Sequence, residues 1–118
     1  MQLKEVKKLL DAEILSGEEL LDKEIVSVFA CDLMSDVLAF VEDKTLLLTG
    51  LVNPQTIRTA EMMDIYAIVF VRGKKPDKKT IELAKENGIV TMLTDNILYT
   101  SCGVLYSNGL RGANLMHK

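Results

Sequence analysis

Four short apolar runs recur along the chain, Ile25–Ala30, Thr45–Thr49, Tyr66–Val71 and Ile89–Thr94, and they begin 20, 21 and 23 residues apart. Each is long enough for a strand and too short for a helix, while the intervals between them carry helical period. Strand, crossover and strand at this spacing describe βαβ units. The pattern predicts an α/β fold: a three-layer α/β/α domain around a central, mainly parallel four-stranded sheet. Functional residues are expected in the turns that leave the carboxyl ends of the strands.

The polar intervals place the helices. Leu3, Val6, Leu9 and Leu10 share one face of an N-terminal helix, and a brief edge strand at Ala12–Leu15 precedes the Ser16-Gly17 turn. Residues 1–24 are therefore expected to pack on the core of a domain spanning 25–109. After the first full strand, Cys31 and Asp32 lead into a helix with Met34, Val37, Leu38 and Val41 inward, capped by Asp32 or Ser35. Asn53-Pro54 reads as N-cap and first residue of the next helix, with Ile57, Ala60 and Met63 on its inner face. Asp77 or Thr80 opens a third, with Ile81 and Ala84 inward, and Asn87-Gly88 stops it. The last carries Leu98, Cys102 and Leu105 and closes at Asn108-Gly109. Residues 110–118 read as a flexible tail, and no composition break marks a second domain.

Composition narrows the function classes. At 118 residues and 48% hydrophobic, the chain is one domain with a real core. A net charge of −3 argues against general affinity for nucleic acid or an anionic membrane. The charge is uneven: residues 1–64 hold 6 basic and 13 acidic side chains, residues 65–118 hold 8 and 4. Such polarity favours subunit pairing, although solvated faces explain it too. No run reaches membrane-spanning length and charges interrupt the N-terminal stretch, so a cytoplasmic protein is expected. Cys31 and Cys102 have neither metal-site nor disulfide spacing, which fits a reducing compartment.

Catalytic chemistry is sparse. The sole histidine, His117, is the penultimate residue, so no Ser/His/Asp or Cys/His arrangement can be built around it. A carboxylate-only magnesium site from Asp32, Asp36 and Asp95 competes with the commoner role of such residues as helix caps. The segment Arg72-Gly73-Lys74-Lys75-Pro76-Asp77-Lys78-Lys79-Thr80 lacks the second glycine that a phosphate loop needs before its lysine. No catalytic residue, metal or cofactor is expected. A binding role falls instead to Asp32, Ser35, Asp36, Thr49, Gly50, Asn53, Arg72, Gly73, Thr94 and Asp95 near the strand ends. There, helix N-termini supply amides and Arg72 the charge for an anionic metabolite or nucleotide. Met62 and Met63 beside Ile65, together with Met34, suit core packing or a subunit interface.

The stretch from Ser27 to Gly109, about 80 residues, resembles the DRTGG domain, a family named for a five-residue signature and related in fold to the N-terminal domain of HPr kinase/phosphorylase. The resemblance is carried by Ala30-Cys31-Asp32-Leu33-Met34-Ser35-Asp36-Val37, by Leu48-Thr49 followed by Asn53, by Gly73 and Pro76-Asp77, and by Glu86-Asn87-Gly88-Ile89. Leu51-Val52 replaces the signature's Asp-Arg and Val71-Arg72-Gly73 its Thr-Gly-Gly, of which Gly73 alone survives. The Cys-Asp-Leu-Met-Ser-Asp stretch is most similar to stand-alone members from anaerobic bacteria, often encoded near iron-only hydrogenase subunits. Elsewhere the family accompanies CBS domains in regulated pyrophosphatases and phosphotransacetylase domains. The resemblance implies a dimerising or regulatory module in a redox or metabolic context, with an enzyme of that kind as protein partner, and does not imply kinase activity; the missing nucleophile–base pair and the Met-rich, charge-polarised surface add the expectation of a non-catalytic homodimer.

Overall fold

The computed structural model describes residues 1–39 and 42–113. Six strands form one mixed sheet: β1 (Glu13–Ser16), β2 (Ser27–Ala30), β3 (Thr45–Thr49), β4 (Ala67–Phe70), β5 (Val90–Leu93) and β6 (Arg111–Gly112). They lie in the order β1-β5-β4-β3-β2-β6. The four apolar runs are the adjacent strands β2 to β5, each parallel to the next. The side chains of β3, β4 and β5 are almost wholly buried on both faces, as a covered parallel sheet requires, whereas those of β2 at the edge of this set are only partly covered.

The expected four-stranded sheet is extended at both edges. β1 joins β5 antiparallel. β6 joins β2 in parallel, so the tail expected from residue 110 starts as ordered structure. Leu110 is buried, its amide bonds the Leu105 carbonyl, and the Ala113 amide bonds the Val28 carbonyl. Residues 114–118 lie outside the described residues.

Alternation along the strands builds two cores. Leu46, Leu48, Val69 and Met92 face α1 (Leu3–Leu9) and α5 (Leu98–Ser107). Leu47, Ile68 and Phe70 face α2 (Met34–Val37), α3 (Pro54–Met62) and α4 (Lys78–Glu86). The reason is topological. Right-handed crossovers that advance in one direction, β2 to β5, stack on one face, and α5, running back toward β6, must take the other.

The helix starts follow their caps in two cases. Asn53 Oδ1 accepts from the Thr56 amide at 3.3 Å, and Asp77 Oδ1 from the Thr80 amide at 2.9 Å. At α2 the expectation fails: Leu33 occupies the N-cap position without a side-chain bond, and neither Asp32 nor Ser35 caps the helix. The helix runs a single turn, and Leu38, expected inside, is 39% exposed. Val41 lies outside the described residues. Met34 is buried and Met63 is packed partly against the core, whereas Met62 is largely exposed.

Candidate functional site

The carboxyl ends of β2 to β5 gather most of the residues expected to bind a ligand. Asp32 follows β2, Thr49 and Gly50 end β3, Arg72 and Gly73 follow β4, and Thr94 and Asp95 follow β5. β3 ends at Thr49, so the Gly50 amide lies beyond the ladder, and the Asp32 carboxylate takes the place of a missing carbonyl. Asp32 Oδ1 accepts from the Gly50 amide at 2.6 Å and from the Thr49 hydroxyl at 3.1 Å. This tertiary acceptor explains why Asp32 is not a helix cap.

Thr49 and Thr94 act alike. The Thr49 hydroxyl accepts from the Leu51 amide at 3.1 Å, and the Thr94 hydroxyl from the Asn96 amide at 3.3 Å, each a turn closed by a side chain on the backbone two residues on. Each also donates: Thr49 to Asp32, and Thr94 to the Leu10 carbonyl at 2.8 Å. Both threonines are buried with their hydroxyls satisfied.

Arg72 and Gly73 form the third tip. Both have positive φ, 64° and 62°. Consecutive left-handed residues turn both amides toward the β5 loop, where Arg72 N donates to the Asn96 carbonyl at 2.8 Å and Gly73 N to the Thr94 carbonyl at 2.9 Å. A Cβ at Gly73 would come within 2.9 Å of Asp95 Oδ1, so glycine is needed for space as well as φ. The Arg72 side chain reaches the other way and lies on Gly50, where a Cβ would meet its Nη2 at 2.6 Å. Among the described residues the Arg72 guanidinium has no ion-pair partner.

The remaining expected residues stand apart. Asn53 is committed to capping α3. Ser35 and Asp36 are exposed on α2, where Asp36 Oδ2 lies 3.9 Å from Cys31 Sγ. Among the described residues no group of three or more His, Cys, Asp or Glu side chains is placed to hold a metal ion, so Asp32, Asp36 and Asp95 do not converge. Residues the sequence reading missed are Asn96, whose carbonyl holds the Arg72 amide, and Leu10, whose carbonyl holds Thr94. Both act through backbone atoms, which leave no mark on residue type.

A second feature lies away from the strand ends. A cavity of about 830 Å³ opens between α5 and the β2–β6 edge of the sheet. Burial pushes the thiol of Cys102, on its wall, above the ordinary range. Among the described residues no helix is long and apolar enough to cross a membrane.

Comparison with known proteins adds two positive findings. A family model described as the DRTGG domain matches residues 5–104. The fold is similar to that of the CBS and DRTGG domains of the regulatory region of Clostridium perfringens pyrophosphatase, solved in complex with its activator diadenosine tetraphosphate. That similarity has a TM-score of 0.69 at 18% identity, covering 88% of this chain and 45% of the other. This chain thus spans less than half the length of that regulatory region. No curated protein matches the chain.

Proposed function

The chain belongs to the DRTGG-domain family, and from that membership we propose that it is a non-catalytic regulatory and interaction module that acts as a homodimer. The family match over residues 5–104 carries this reading, and its likeness to a pyrophosphatase regulatory region supports it. So does the strand-end chemistry. The hydroxyls of Thr49 and Thr94, the Asp32 carboxylate and the amides of Gly50, Arg72 and Gly73 are bonded to one another or to neighbouring backbone, which makes a rigid surface. A redox or central-metabolic enzyme as protein partner is suggested by the resemblance to stand-alone members, and a cytoplasmic setting by the cysteine spacing and the charged N-terminal stretch. Light scattering tests the homodimer: a monomer at high micromolar concentration would exclude it.

One observation favours a second reading, a sensor for an anionic metabolite or nucleotide at the strand ends. Arg72 presents an exposed guanidinium over Gly50 with no anionic partner among the described residues. An arginine so placed suits bidentate contact with a phosphate. Thermal shift with diadenosine tetraphosphate, ATP and inorganic phosphate tests it, since a ligand at one hundred times its Kd adds about 2.7 kcal/mol. No shift with any of the three, or an equal shift in Arg72→Ala, would leave the interaction module alone.

A further inference from the structure

The two faces of the sheet are covered unequally. Three helices, α2, α3 and α4, pack on one, and two, α1 and α5, on the other. Among the described residues no helix covers the strip over β2 and β6, where Val28 is half-buried and Ala30 exposed although both point to the α1/α5 face in register with Leu46 and Leu48. The 830 Å³ cavity fills this strip, with α5 as its wall.

α5 is unusual among the described helices. Its ten residues, Leu98 to Ser107, include no charged side chain, whereas each of the other four α-helices carries at least one. Its outer stripe is Tyr99, Gly103 and Tyr106, with the tyrosines 85% and 74% exposed. Uncharged surface rich in tyrosine, beside an apolar groove that none of the described residues fills, has the composition of an interface centre rather than of a solvated face.

We infer that a second copy of this chain covers the strip, with the two α5 helices antiparallel about a twofold axis near Gly103. Charge decides the occupant. In an isologous interface the residues near the axis meet their own copies, so any charge there repels itself. α5, with no charged side chain along its length, can occupy that position anywhere on its outer stripe without such repulsion. Its stripe also reads nearly the same in both directions, with a tyrosine on either side of a glycine, so an antiparallel copy presents the same profile. Gly103 leaves room for close approach, because no atom lies within 4 Å of where its Cβ would be. Arg111, exposed on β6, is the one charged residue along the lining. The inference rests on the homodimer reading and names its surface.

Gly103→Glu and Gly103→Lys test it in the full chain. Both fit the open space and replace a mid-helix glycine, so each variant should still unfold cooperatively, its melting temperature losing only the concentration-dependent part that the dimer adds. Each variant alone should be monomeric, its mass by sedimentation equilibrium half that of the wild type, and an equimolar mixture should recover the dimer through opposite charges at the axis. A dimeric wild type with a dimeric Gly103→Glu variant would place the interface on another face, overturning this assignment while sparing the homodimer. A mixture that fails to pair would also overturn it. A monomeric wild type would remove both.

Discussion

At the scale of single residues, the strand ends are organised by side chains standing in for backbone. Asp32 accepts from an amide and a hydroxyl of the neighbouring loop, and bonds to a charged acceptor are worth about 1.5–3 kcal/mol each where partly buried. Asp32→Ala should lower stability in urea unfolding by about 2 kcal/mol. Asp36→Ala, whose carboxylate has a thiol 3.9 Å away as its nearest partner, should change it by less than about 0.5 kcal/mol. Arg72 sits at a left-handed position that disfavours every residue with a Cβ by about 1–2 kcal/mol. Arg72→Gly should therefore raise the melting temperature while removing the guanidinium from Gly50, which separates strain from binding in one variant. Asp77 gives a pH signature. Hydrogen bonding from Thr80, whose amide donates at 2.9 Å, aided by Lys79, holds its carboxyl below the usual range. Because the folded value is depressed, the cap's contribution is complete above the ordinary aspartate value of about 3.9 and is lost as pH falls through the lower folded one. The acid limb of a stability profile for Asp77→Asn should be flatter than that of the wild type over that window.

Individual elements show what sequence periodicity can and cannot carry. β2 to β5 were legible because buried parallel strands need continuous aliphatic runs, and α3 and α4 because Asn53-Pro54 and Asp77 are local caps whose partners lie three residues on. The α2 cap was not legible because two donors competed for the Asp32 carboxylate. One was a local helix amide and the other the Gly50 amide, 18 residues away, a contact with no sequence period. The same reason hid most of the candidate site: types at Thr49, Gly73 and Thr94 pointed to turns, while the backbone partners Leu10 and Asn96 carried no signal. β6 left none either, since Arg111-Gly112 is two residues without an apolar alternation. Leu110 was its one clue, a buried leucine just past the Gly109 turn, closing the end of α5 through a bond to Leu105. Leu110→Ala should cost about 2–5 kcal/mol by calorimetry if this anchoring holds, where a truly frayed tail would lose nothing.

For the whole molecule, the strand order carries a kinetic meaning. β2, β3, β4 and β5 are neighbours both in sequence and in the sheet, so each pairing closes only one crossover loop. β1 and β6 come from opposite ends of the chain and sit on opposite edges, and each pairs with a strand distant in sequence, β1 with β5 and β6 with β2. Loop closure makes such distant contacts slow to form, and edge strands are the least supported to keep. The two edge strands thus act as shutters over a sheet that assembles from its middle outward. Amide exchange should reveal the sequence in reverse: Leu47 and Val69 amides open only on global unfolding, those of β1 open earlier, and the Ala113 amide, bonded to Val28, exchanges first. While the β6 shutter is open, β2 presents an unpaired edge, so the moment of greatest exposure to strand-to-strand aggregation belongs to a folded molecule with one edge strand loose.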